Sequence, residues 1–146
     1  MDPLSVGAGI IAVVQVADRI AELCRYYIGA VDDYPKDLRS ILIETSTLTA
    51  LLENIKFLID SDGGSSPLLK SLGGEEGPIA GCRRTVSELE ALFPASSSKT
   101  PQKAKRVKTT LAQLAWPFRQ EKARALLTQL VQLKTTINTA ISSETL

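Results

Sequence analysis

Apolar residues recur at steps of three and four along nearly the whole of this chain, and that spacing leaves room for little besides helices. Leu38, Ile41, Leu42, Thr45, Leu48, Leu52, Ile55 and Ile59 form one row, and Ile79, Cys82, Val86, Leu89 and Phe93 form a second. Val107, Leu111, Leu114 and Phe118 carry the pattern on. Leu126, Leu130, Leu133, Ile137 and Ile141 close it with almost pure a/d spacing. A pattern of this period covers one face of an α-helix, whereas a half-buried strand alternates with period two. No segment alternates that way over a useful length. The rows predict an all-α antiparallel bundle of four to five helices near 3–30, 35–60, 78–93, 101–116 and 118–142, with a short turn near 67–72. Short connections between long helices favour antiparallel neighbours.

Proline and glycine punctuate the rows. Pro3, Pro35, Pro67, Pro78, Pro101 and Pro117 stand just before helix-like stretches, where a missing N–H costs nothing and the fixed φ suits the first turn. Asp2, Ser66, Gly77 and Thr100 lie directly upstream as caps. Pro94 reads as a stop, and Gly63–Ser66, Gly73–Gly74 and Ala95–Ser98 read as loops. Trp116-Pro117 interrupts what would otherwise be one long C-terminal helix, because proline moves the preceding residue away from helical angles. A kink or break is expected there, with Trp116 as a core anchor at the bend. A chain of 146 residues, 44% hydrophobic and 23% charged, fits one domain over 1–146, with 141–146 opening a linker.

The first helix departs from the rest. From Pro3 to Ala17 there is no charged residue, and Ser5 and Gln15 are the only polar ones. A helix that is apolar all round is enclosed by its own protein or meant for lipid. Asp18, Arg19, Glu22 and Arg25 then restore a polar face, with Ile20, Leu23, Tyr27 and Ile28 facing inward. The uncharged stretch is no signal peptide, since a basic leader is missing and Asp2 is acidic. It is also short for a span: roughly 22 Å of helix against a hydrocarbon core of about 30 Å. Several copies in a ring, thinning the bilayer, would meet the mismatch. Ser5, Gly9 and Val13, with Ala8 and Ala12 beside them, resemble the small-residue spacing that lets helices approach closely. Gly7 and Gly9 each cost about 1 kcal/mol in an exposed helix, which points to a close helix contact. A central core helix explains the same residues without any lipid.

Charge is distributed unevenly. Residues 1–98 carry 14 acidic and 8 basic groups, and residues 99–146 carry 9 basic and 2 acidic. The C-terminal third therefore seeks anions. Lys99, Lys103, Lys105, Arg106 and Lys108 have no acid near them, a pattern suited to anionic lipid. Nucleic acid is the weaker ligand for this run, which lacks interleaved aromatics and any helix-turn-helix spacing.

Catalysis finds little support. With 0 histidines and 2 cysteines the chain cannot build the imidazole or multi-thiolate centres of common hydrolases and zinc sites. Asp32-Asp33 and Glu75-Glu76 are adjacent acids, which point apart on a helix. Gly73-Gly74-Glu75-Glu76-Gly77 lacks the Lys and Ser/Thr of a phosphate loop. No enzyme, cofactor or metal site is expected. Cys24 and Cys82 are expected to be buried apolar fillers in a reducing, intracellular setting.

One further pattern is carried by several segments together. Met1-Asp2-Pro3-Leu4-Ser5-Val6 precedes a Gly/Ala/Ile/Val helix, and Tyr34-Pro35-Lys36-Asp37-Leu38 opens the second. Leu48-Thr49-Ala50-Leu51-Leu52-Glu53 lies within it, Cys82 precedes Leu89-Glu90, and Leu114-Ala115-Trp116-Pro117 precedes a charged Leu-rich helix. This set resembles the fungal HeLo-like domains found at the N-terminus of NOD-like receptors and related STAND proteins. The resemblance implies a bundle that executes programmed cell death by permeabilising membranes once copies oligomerise, as in heterokaryon incompatibility and innate immunity. It implies a plan similar to the killer domain of mixed-lineage-kinase-like pseudokinase and to plant resistance-protein coiled-coil domains. On this expectation Leu4, Val6, Gly7, Gly9, Ile10, Ile11, Val13 and Val14 enter lipid. Lys99, Lys103, Lys105, Arg106 and Lys108 hold the anionic surface. The implied partners are anionic membrane lipids, further copies of the chain, and a NOD-like receptor module in the same chain or a homologous domain. The domain would be cytoplasmic at rest and at the plasma membrane when active. The alternative is a non-lytic assembly domain that binds its own kind.

Overall fold

The computed structural model describes residues 3–30, 35–61, 72–74, 76–93 and 116–145. Among these are four helices and no strand: α1 Pro3–Ala30, α2 Lys36–Ser61, α3 Pro78–Glu90 and α4 Trp116–Thr145. The all-α bundle expected from the periodicity is the fold found. The rows face inward as their spacing requires: Leu38, Ile41, Leu48, Leu52, Ile55 and Ile59 of α2 and Ile79, Cys82, Val86, Leu89 and Phe93 of the α3 segment are buried. Leu126, Leu130 and Ile137 of α4 join them, while Leu42, Leu133 and Ile141 pack at the margin. Thr45 sits in the apolar row because its hydroxyl donates to the Ile41 carbonyl at 2.8 Å, so no polar atom is stranded.

Helix ends follow the proline and glycine marks. Pro35 lends its carbonyl to the Leu38 N–H, and α2 starts one residue after it. Gly77 caps α3 and Pro78 occupies its first turn. The structure departs from expectation at the other ends. α3 stops at Glu90 rather than 93, because the Leu92 and Phe93 N–H groups bond three residues back and tighten the chain into a turn. α4 runs from Trp116 with Pro117 in its first turn, and the kink or break expected there falls at the edge of the described residues. The helix then continues to Thr145, through the residues expected to open a linker. The helix expected at 101–116 lies outside the described residues up to 115, as does the turn near 67–72 except Leu72, which is buried.

Side-chain pairs fix the directions. Gly9 approaches Ile79, Arg19 pairs with Glu90, and Tyr27 stacks on Phe93, so α1 and α3 run parallel. Gly81 meets Leu133, Thr85 reaches Gln129 and Glu88 pairs with Lys122, so α4 runs antiparallel to α3. Arg124 pairs with Asp37 and Lys134 with Glu44, so α4 and α2 are parallel. The four described helices thus alternate in direction along the chain, although only α1 and α2 are joined by a short connection. α1 lies against α2 and α3, and α4 against the same two. That places α2 and α3 on a diagonal, which makes the neighbours α1/α3 and α2/α4 parallel.

The approach to α3 depends on two glycines. Gly74 takes φ +99, a region open to glycine without strain. A Cβ on Gly77 would stand 2.5 Å from both the Leu72 and Gly73 carbonyl oxygens, so the backbone would have to move. Gly77→Ala is therefore expected to cost about 1–3 kcal/mol and lower Tm by about 5–10 °C, measured by thermal denaturation followed by circular dichroism.

Candidate functional site

α1 carries the feature that bundle packing alone does not require. Its inward row, Val6, Ile10, Val13, Ala17, Ile20, Ala21, Cys24 and Tyr27, is buried. Its outward row is Ala8, Ile11, Gln15, Asp18, Glu22, Arg25 and Tyr26. In the rear half the outward row is charged, as water demands. In the front half it is Ala8, Ile11 and Gln15, with Ile11 45% exposed. The uncharged surface therefore runs right round the helix, including the side that faces solvent.

The structure separates the residues expected to enter lipid. Val6, Ile10 and Val13 are core residues, Val14 packs at the core margin, and Ile11 is on the surface. Leu4 belongs to α1, but its side chain lies outside the described residues. The glycines differ too. A Cβ on Gly9 would meet Ile79 Cγ2 at 3.3 Å, the close contact its residue type suggested. A Cβ on Gly7 would meet nothing within 4 Å among the described residues. Lys99, Lys103, Lys105, Arg106 and Lys108 all lie outside the described residues.

Apolar contact holds the front half of α1, since no residue from Pro3 to Ala17 is charged. Burying each Val or Ile side chain is worth about 1.5–3 kcal/mol, and a lipid interior would return most of it. Further along, Arg19 donates to both Glu90 oxygens at 2.7 and 3.1 Å. This hydrogen bonding holds the guanidinium pKa above its ordinary value. The Arg19 and Glu90 side chains are 56% and 32% exposed, so the pair contributes no more than about 1 kcal/mol. The link between α1 and α3 is thus geometrically defined and weak.

Both cysteines are buried and free, and burial pushes each thiol pKa up to about 12. They are fillers, as expected. No helix among the described residues is long and apolar enough to cross a membrane, which agrees with the short reach of the uncharged stretch. No group of three or more metal-ligating side chains occurs among the described residues. A cleft of about 370 Å³ between α3 and α4 is lined by Arg84, Thr85, Glu88, Gln129, Gln132 and Thr136, together with Gly81 and Leu133.

Residues 1–146 match the family described as the N-terminal domain of the pigment biosynthesis cluster protein PigL. The chain belongs to this family. PigL N-terminal domains are related to the HeLo-like fungal domains, which is the part of the sequence resemblance that the match carries. No curated protein and no solved structure matches the chain significantly.

The sequence rows missed one feature of this PigL N-terminal domain. α2 exposes Ile43, Phe57 and Leu58 on the side away from the core, at 53%, 68% and 38%. The seven-residue spacing of Ile43, Ala50 and Phe57 was the available signal, hidden behind the stronger inward row.

Proposed function

We propose that this PigL N-terminal domain is a membrane-targeting, pore-forming cell-death execution module of a fungal immune receptor or incompatibility system. Clustering of copies sets it off. α1 leaves its place between α2 and α3, and its front half enters lipid, while Lys99, Lys103, Lys105, Arg106 and Lys108 hold the anionic surface of the plasma membrane. The observation that carries this reading is the uncharged front of α1 on its solvent side, where Ala8, Ile11 and Gln15 stand in place of the usual charged residues. Each copy of α1 is too short to span alone, so a ring of copies in a thinned bilayer is required. The family description names a pigment biosynthesis cluster protein. We read this domain's part in such a protein as non-catalytic, because 0 histidines and two buried cysteines leave it no imidazole and no accessible thiolate.

A second function is favoured by a different observation. The inward row of α1 is enclosed from Val6 to Tyr27, as a permanent core helix would be. In that case the domain assembles receptors by helix contact and never touches lipid.

Dye release from vesicles separates the two. The chain is fused to a trimerising coil and added to vesicles rich in phosphatidylserine. Release by the trimer and none by the monomer is expected. Reversing Lys103, Lys105 and Arg106 to Glu should weaken vesicle binding, with the difference shrinking as salt rises. A trimer that binds vesicles and releases no dye leaves only the assembly domain.

A further inference from the structure

The outward face of α2 is an unbroken uncharged seam. Ile43, Thr47, Ala50, Asn54, Phe57 and Ser61 follow one another at alternating steps of four and three, and all are exposed. That is the heptad spacing of a helix paired with another helix, with apolar residues at every seventh position and small polar ones between. The inner row of α2 already faces α1 and α4, and among the described residues the only seam side chain that another helix engages is Thr47, which accepts from Lys134 of α4.

We propose that a second copy of this chain docks there, α2 against α2, antiparallel about Ala50. In that register Ile43 of one copy meets Phe57 of the other at both ends, and the small Ala50 side chains meet at the two-fold axis. Asn54 lies across from Ser46. Charge agrees with the same register. Arg39 lies near one end of the seam and Asp60 near the other, on the same flank, and an antiparallel pair brings Arg39 of each copy beside Asp60 of its mate. Arg39 forms no ion pair among the described residues, and the Asp60 side chain is 63% exposed despite its link to Lys56. A parallel pair would set Arg39 against Arg39. An anionic membrane is the poorer occupant, because Glu53 and Asp60 border the seam and no exposed cation lies between Arg39 and Ser61 on that side.

Size sets the strength. From Ile43 to Ser61 the seam is roughly 27 Å long and one helix wide, which gives an interface below the roughly 1,200 Å² of standard stable complexes. The contact is therefore weak between free molecules and effective when a tether raises their local concentration. Its part in activation rests on the proposed function, in which copies must gather, but the contact itself is measured without lipid.

Sedimentation velocity on the full 146-residue chain, over micromolar to millimolar concentration, tests it. A reversible monomer–dimer equilibrium is expected. Phe57→Glu should weaken it at least about tenfold without loss of helicity, since the side chain is largely exposed. Arg39→Glu or Asp60→Arg alone should weaken it about fivefold, and the double swap should restore it. Ala50→Cys should cross-link two copies on oxidation, because the native thiols are buried. A chain that stays monomeric throughout, or dimers indifferent to Phe57→Glu, or a double swap that fails to restore pairing, overturns the proposal. A self-associating trimer fusion that never releases dye would defeat the pore and leave this contact standing.

Discussion

Ile11→Glu is expected to abolish dye release by the trimerised domain while changing its stability by less than about 0.5 kcal/mol. Ile11 is 45% exposed, so a carboxylate there stays in water in the resting bundle. In lipid the same carboxylate would sit near the middle of the inserted segment, at a cost of several kcal/mol per copy. Neighbouring positions cannot make this distinction. Ile10 is fully buried, and Ile10→Glu places an unpaired charge in the core, enough to unfold the domain. Gly9→Glu drives a side chain into Ile79. Thermal melts beside the leakage assay are the check. Ile11→Glu that melts like the parent and still releases dye would remove α1 from the membrane mechanism.

The second large effect is a reversible lock. Gly9→Cys with Ile79→Cys joins the front of α1 to the start of α3, at a place where an added Cβ stands 3.3 Å from the Ile79 side chain. The Ile79 Cβ itself lies beyond 4 Å from that position, so the bridge forms at the long end of the roughly 3.5–4.5 Å Cβ separation that disulfides span. Closing so long a loop stabilises the fold by about 4 kcal/mol in the chain-entropy model. The oxidised trimer should release no dye, and reductant should restore release to the parent level. Cys24 and Cys82 do not compete, because burial holds their pKa near 12 and leaves almost no thiolate at neutral pH. An oxidised trimer that leaks at the parent rate would show that α1 never parts from α3.

Much of the fold was legible because burial follows period. Each inward row that falls within the described residues is inward, and even Thr45 fits, since a hydroxyl that can bond the preceding turn suits an apolar face; the side chains of the row Val107, Leu111, Leu114 and Phe118 lie outside them. Spacing tells which face of a helix is buried, but not against which helix. The diagonal placement of α2 and α3, and hence the parallel course of α1 and α3, needed coordinates. Trp116-Pro117 was ambiguous for a related reason: proline suits both the end of one helix and the first turn of the next, and the residues alone do not choose. At the candidate site, composition marked the front of α1 as unusual, yet could not say that Ile11 faces water while Ile10 faces the core. The two glycines illustrate the same limit, as Gly9 abuts α3 and Gly7 abuts nothing among the described residues.

Because α1 and α3 run together and α4 runs against them, Pro3 and Thr145 fall at the same pole of the molecule. A clustering tag spliced behind residue 146 would therefore gather the opening turns of α1 along with the tails. Moving the tag to the opposite pole, by inserting it between α1 and α2, should bring the copies equally close yet leave those opening turns splayed apart.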